Sequence, residues 1–162
     1  MAVGAALVSA CRSSPEPSSA PDRPVSDKTP ANATGPAAAA PAPPAPPAAP
    51  SAAPTALAYR KDAATHLYGL NSDRIYKGKL PSQLYAIGVL QVDIDGTGKV
   101  TRLHWMRAPR HAPEVVAEIE RTVRAAAPYP APARLGKVTY TDTWLWDKSG
   151  HFQLDTLTEG QL

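Results

Sequence analysis

Residues 85–107 read YAIGVLQVDIDGTGKVTRLHWMR, and the periodicity of this stretch decides the fold. Leu90, Val92 and Ile94 recur at alternate positions with Val89, Gln91 and Asp93 between them, the pattern of a strand with one face toward a core. Asp95 to Lys99, DGTGK, places glycine where a hairpin turn needs positive φ. VTRLHWMR is then the returning strand, and the step from Val100 to Leu103 to Trp105 breaks strict alternation and predicts a bulge.

Helical spacing flanks the hairpin on both sides. Tyr59, Ala63, Leu67 and Leu70 predict an amphipathic helix from about 56 to 71, with Ile75 in line beyond it. Pro113 at a first helical position, followed by Glu114, opens a second helix. Its expected buried stripe is Val116, Ile119 and Val123, with Val115 and Ala126 at the margins. Pro128 to Pro132, PYPAP, ends that helix and runs extended. KVTYTDTWLW is a third strand, β-branched and aromatic. Asp147 to Gly150 turns it into a short fourth strand, HFQL. The predicted order is α-β-β-α-β-β. It implies a small two-layer α+β domain, an antiparallel three- to four-stranded sheet with helices on one face.

The rest of the chain lacks core-building side chains. Of 19 prolines, 13 fall between Arg12 and Leu57, where GPAAAAPAPPAPPAAPSAAPTA is almost wholly Ala, Pro and Ser. Such a segment cannot offset the entropy of ordering, so 12–57 is expected to be a disordered Pro/Ala-rich linker. As a relaxed coil it spans roughly 40 Å. The folded domain is expected over 58–162. Residues 1–11, MAVGAALVSAC, are apolar and small, and end at the chain's single cysteine, Cys11. One thiol excludes a disulfide framework and a cysteine-based metal site.

The VSAC phrase, Val8 to Cys11, resembles the lipobox of bacterial lipoprotein signals, a family in which the signal is cut before the cysteine and the cysteine is lipidated. No Lys or Arg precedes Cys11, so a basic n-region would have to lie upstream of Met1. Acylation of Cys11 implies a membrane anchor. Arg12, in place of Asp after the cysteine, points to the outer membrane by the usual sorting pattern of such lipoproteins.

The folded part carries a second resemblance. GVLQVDIDGTGKVTRLHWMRAPRH followed by VVAEIERTVRAAAPYPAPA is similar to the C-terminal domain of the TonB/TolA family, in which a strand, a DG turn, a strand and a helix ending in an AAP-aromatic-P phrase precede the last strand. Asp95-Gly96, Gly98-Lys99-Val100 and Ala126-Ala127-Pro128-Tyr129-Pro130 carry it. The first helix, with Tyr59 and Tyr68, is closer to the TolA version, and a Pro/Ala-rich spacer is typical of TonB. The resemblance implies a periplasmic module that binds envelope proteins, such as an outer-membrane receptor or its peptide, by strand addition at the edge of the third strand. Pairing of two copies through that edge is a further outcome it allows. Two alternatives stand beside it: an energy transducer whose N-terminal membrane helix is missing from this chain, and a cell-wall-binding lipoprotein.

Candidate partner-binding residues follow from the third strand. Val138, Tyr140, Asp142, Trp144 and Trp146 share one of its faces, with Phe152 on the strand after it. That face either meets the helices as core or lines a peptide or glycan groove. As core it leaves Asp142 in need of a partner, because an unpaired buried carboxylate is costly. HFQL is expected to fold back on TWLW as a displaceable lid, with a permanent edge cover as the other reading. Arg102, His104, Arg107, Arg110 and His111 form a local basic patch suited to an acidic partner, anionic lipid or cell-wall polymer.

Chemistry is hard to find. His66, His104, His111 and His151 form no metal-ligand spacing, so no metal is expected. Ser72, Ser82 and Ser149 sit in connectors or turns without a nucleophile-elbow context, and DGTGK is too short for a phosphate loop. The folded part has 14 Lys/Arg against 11 Asp/Glu, interspersed, well short of a nucleic-acid stripe. The sequence therefore predicts a binding domain without cofactor, not an enzyme.

Overall fold

A computed structural model describes residues 47–162. Cys11, the lipobox-like segment and the linker up to residue 46 lie outside the described residues.

Two helices and a four-stranded antiparallel sheet make a mixed α+β domain. The elements are α1 (Ala56–Leu70), β1 (Ala86–Ile94), β2 (Val100–Arg107), α2 (Pro113–Ala125), β3 (Val138–Trp146) and β4 (Phe152–Leu154), followed by a 3-10 turn at Asp155–Leu157. The strands lie in the order β2-β1-β3-β4. The crossover that carries α2 thus places β3 beside β1 and leaves β2 at one edge.

The β1–β2 hairpin follows its sequence closely. Leu90, Val92 and Ile94 are buried, while Val89, Gln91 and Asp93 are half-buried on the other face. Asp95 N–H donates to Lys99 C=O at 3.0 Å, and Gly98 has φ 85. Register slips between Asp93 and Ile94, so Arg102 faces Asp93 while Val100 faces Ile94. That is the expected bulge, and it turns Val100, Leu103 and Trp105 toward the core. Gly98 is needed twice over: its φ is left-handed, and a side chain there would run into the Tyr129 carbonyl. The Gly98 C=O in turn accepts from Tyr129 N–H at 2.8 Å, tying the turn to the segment after α2.

α1 starts where Thr55 caps it, its hydroxyl accepting from Ala58 N–H at 3.2 Å. It stops at Asn71, whose side-chain amide donates to Leu67 C=O at 2.9 Å. Ile75 therefore lies past the helix, and it is buried by bridging to Phe152. Tyr59, Ala63, Ala64 and Leu67 form the buried stripe of α1; the two alanines let the helix backbone come close to the sheet. In α2 Ile119 and Val123 are buried as expected, and the stripe differs at its start, where Val115 takes the place of Val116. Val115, Ile119, Thr122 and Val123 are buried and Val116 is only half-buried. The helix meets the sheet through its Val115–Ile119–Val123 row, at i, i+4 and i+8. Ile119 is 1 % exposed, so Ile119→Val is expected to cost about 1 kcal/mol in chemical denaturation, the usual price of one core methyl group.

Ordered structure begins earlier than position 58. Ser51 is buried, its N–H donates to Ala131 C=O at 2.9 Å, and its hydroxyl donates to Asp62 at 2.6 Å. The chain was expected to dock only after Leu57 because Ala, Pro and Ser offer little apolar surface. What holds this stretch is backbone pairing and one hydroxyl, neither of which hydropathy reports. Ser51→Ala is accordingly expected to lower stability by about 1 kcal/mol, measured by thermal or urea unfolding.

Candidate functional site: the edge of the third strand

All six side chains expected to line a binding face lie in the core. Val138 is 7 % exposed, Tyr140 1 %, Asp142 1 %, Trp144 1 %, Trp146 5 % and Phe152 0 %. This corrects the groove reading, since side chains packed under both helices cannot also meet a partner. Trp144 and Trp146 close on Phe152 with ring centroids at 4.8 and 5.4 Å, the second pair stacked. Burial also raises the pKa of the Tyr140 phenol well above its ordinary value.

Asp142 finds its partner on α1. Its Oδ1 accepts from the Arg60 guanidinium at 2.7 Å and from the backbone N–H of Thr143 at 2.9 Å and Thr156 at 3.3 Å. Arg60 reaches Asp155 as well, at 3.1 Å. Burial alone would lower the Arg60 pKa, but the hydrogen bonds and charges of Asp142 and then Asp155 raise it above its ordinary value. The sequence posed the need for a cation beside Asp142 but did not single out Arg60. The available signal was its place next to Tyr59, on the flank of the buried stripe.

β4 is a short cover built into the core. It pairs only with Trp144–Trp146, and Phe152, Gln153 and Leu154 are all buried. Its outer side is closed too: Phe152 N–H donates to Arg74 C=O at 3.1 Å, and Tyr76 N–H donates to Phe152 C=O at 2.9 Å. The Gln153 amide donates to the carbonyls of Tyr76 and Gly78 at 2.9 and 2.8 Å. These ties favour the permanent cover over the displaceable lid.

The cover is incomplete, and that leaves a candidate site. Asp147 N–H pairs with His151 C=O at 2.9 Å, which fixes the antiparallel alternation. Odd-numbered residues of β3 point their peptide groups toward the β4 side, and even-numbered ones point toward β1. Beyond Leu145 the β4 strand has ended, so among the described residues no strand pairs with Thr139, Thr141 and Thr143 on that side. Of these, the Thr143 N–H is taken by Asp142. Alongside runs a groove of about 320 Å³ lined by Leu57 and Arg60 of α1, by the three threonines and by Asp155. Leu57 is 78 % exposed at its mouth. The groove offers main chain that no strand pairs among the described residues, the apolar side chains of Ala56 and Leu57, and the Arg60 guanidinium between the carboxylates of Asp142 and Asp155. None of its residues is a nucleophile activated by a base.

The basic residues divide into two groups. Arg102, His104 and Arg107 face Asp93, Gln91 and Val89 across β1, so they share the outer face of the sheet with exposed side chains. Arg102 lies 3.9 Å from Asp93 and is 69 % exposed. Arg110 and His111 sit in the turn before α2 instead. His111 Nε2 donates to Tyr85 C=O at 2.8 Å, and its ring is edge-on to that of Tyr85. The Tyr85 hydroxyl donates to Glu114 at 2.6 Å and holds that carboxyl below its ordinary range. One continuous five-residue patch is therefore not formed.

Among the described residues no three His, Cys, Asp or Glu side chains come together as a metal site, and no helix is long and apolar enough to cross a membrane. No protein-family model, curated protein or solved structure matches the chain.

Proposed function

We propose that this chain is a membrane-anchored periplasmic interaction module of the TonB/TolA C-terminal kind, which takes up partner proteins by strand addition. The observation that carries the reading is the half-open edge of β3. Thr139 and Thr141 offer N–H and C=O groups in the spacing of a strand, with a groove of about 320 Å³ beside them. Main-chain hydrogen bonds supply affinity there, and Leu57, Arg60 and Asp155 read the incoming side chains. The role is binding rather than catalysis. Acylation at Cys11 is the anchor in this reading, with the proline-rich segment as its spacer to the domain and the outer membrane as its place.

The test is made in the envelope of a Gram-negative host expressing the full-length gene. A photo-crosslinking residue at position 141 is expected to capture an envelope protein, and one at Lys148 is not. Thr141→Pro, combined with a crosslinker at position 139, is expected to abolish capture while the thermal midpoint moves little, because the lost N–H has no ladder partner. Cys11→Ala is expected to release the protein from the membrane fraction. Capture that survives Thr141→Pro, or a protein found in the cytoplasm, overturns the proposal.

A further inference from the structure

We propose that the other edge of the sheet, along β2, is a second docking edge that takes an extended acidic polypeptide segment. This inference does not rest on the reading of β3. β2 is the terminal strand of the sheet, eight residues long with a register slip near each end, with β1 on one side and, among the described residues, no strand on the other. Gln91 shares the parity of Asp95, whose N–H pairs across the turn with Lys99, so Gln91 and its partner His104 bond toward each other. The peptide groups of Leu103 and Trp105 therefore point away from the sheet. A bare edge of this length is a template for another chain.

The charges around it specify the chemistry of that chain. Arg102, His104 and Arg107 project from the outer face of β2, all exposed, with exposed Met106 between them. The carboxylate facing them is Asp93, 3.9 Å from Arg102. On the helix layer, Glu120 accepts from the Trp105 indole N–H at 2.8 Å, and Arg124 stands one turn further along α2. The edge is thus net positive on its outer layer, where Arg102 and Arg107 outweigh Asp93, while Glu120 and Arg124 offset each other on the helix layer. A second copy pairing through β2 would bring its own Arg102 and Arg107 onto the same outer face, and like charges on neighbouring strands oppose pairing. A strand with carboxylates at alternate positions meets these cations instead. The β2 edge and the open edge of β3 lie on opposite sides of the sheet, with β1 and β3 between them, so the two edges act independently.

The experiment uses the full 162-residue chain and a fluorescent octapeptide of alternating valine and glutamate, with a lysine–valine peptide as control. The expected result is binding of the glutamate peptide alone, weakening as salt rises. Arg102→Glu with Arg107→Glu is expected to weaken it tenfold or more, and Thr141→Pro to leave it unchanged. On saturation the amide protons of Leu103 and Trp105 are expected to exchange more slowly, which a loose electrostatic contact would not produce. Equal binding of the lysine peptide, no loss on charge reversal, or protection confined to Thr139–Thr143 overturns the proposal. So does a protein that ignores the peptide and binds only phosphatidylglycerol vesicles, or one that dimerises through β2.

Discussion

Phe152→Ala is expected to cost the domain about 3–5 kcal/mol in chemical denaturation, the range for deleting a buried aromatic ring. Phe152 is fully buried, stacked on Trp146 and in contact with Trp144. The Arg74 guanidinium lies 5.7 Å over the same ring. Two indoles and a guanidinium cannot collapse into the space of a lost phenyl group, because each is held elsewhere. Trp144 and Trp146 sit in the β3 ladder, and Arg74 is ion-paired to Glu118 at 2.6 Å. A cavity therefore remains, and its cost adds to the lost transfer energy. The backbone ties of β4 survive the substitution, so the expected loss reports packing alone. A loss under about 1 kcal/mol would mean that β4 is a detachable flap after all. Removing residues 151–162 is expected to do worse, since it also exposes Trp144 and Trp146 and frees the carbonyls of Tyr76 and Gly78. It should unfold the domain rather than open an edge for binding.

The hairpin and both helices were legible because their signals are local. Alternation at Leu90, Val92 and Ile94 has only one outcome for a sheet with one covered face. DGTGK carries its turn chemistry within five residues. Even the bulge was visible, since Val100, Leu103 and Trp105 cannot all face inward without one. What the sequence concealed was nonlocal. Whether HFQL is a lid or a wall depends on Arg74 and Tyr76, more than seventy residues away, and the bridge of Ile75 to Phe152 has no sequence signature. The same holds for the site. The aromatic face of β3 drew attention because tryptophan and tyrosine serve both cores and grooves, and burial by two helices settled which. The open edge is made of three threonines, residues whose side chains announce nothing. Its existence comes from a subtraction: a nine-residue strand covered over only three residues.

Arg60→Met is expected to destabilise the domain by about 3–5 kcal/mol near neutral pH, more than the loss of a surface ion pair would explain. The reason lies in its partner. The Asp142 side chain has no solvent exposure, whereas that of Asp155 is 55 % exposed and returns to water when Arg60 is lost. Methionine keeps much of the apolar stem of Arg60 but leaves Asp142 with two backbone N–H groups at 2.9 and 3.3 Å and a Tyr140 hydroxyl at 3.5 Å. Those are dipoles facing a buried charge whose counter-ion is gone. Asp142→Asn in the same background removes that charge and is expected to recover a large part of the loss, so the double variant should be more stable than Arg60→Met alone. Non-additivity of this sign identifies an uncompensated charge rather than lost helix packing as the cause. If Asp142→Asn instead adds its own penalty on top, Arg60 contributes through its stem and the ion pair is incidental. The pair also joins stability to the proposed binding edge. Asp142 occupies the N–H of Thr143 and positions Arg60 at the groove, so a variant that loosens it is expected to blur the end of the docking strip between Thr141 and Thr143. In amide exchange, the Thr143 N–H should lose protection in Arg60→Met before the amides of β1 do.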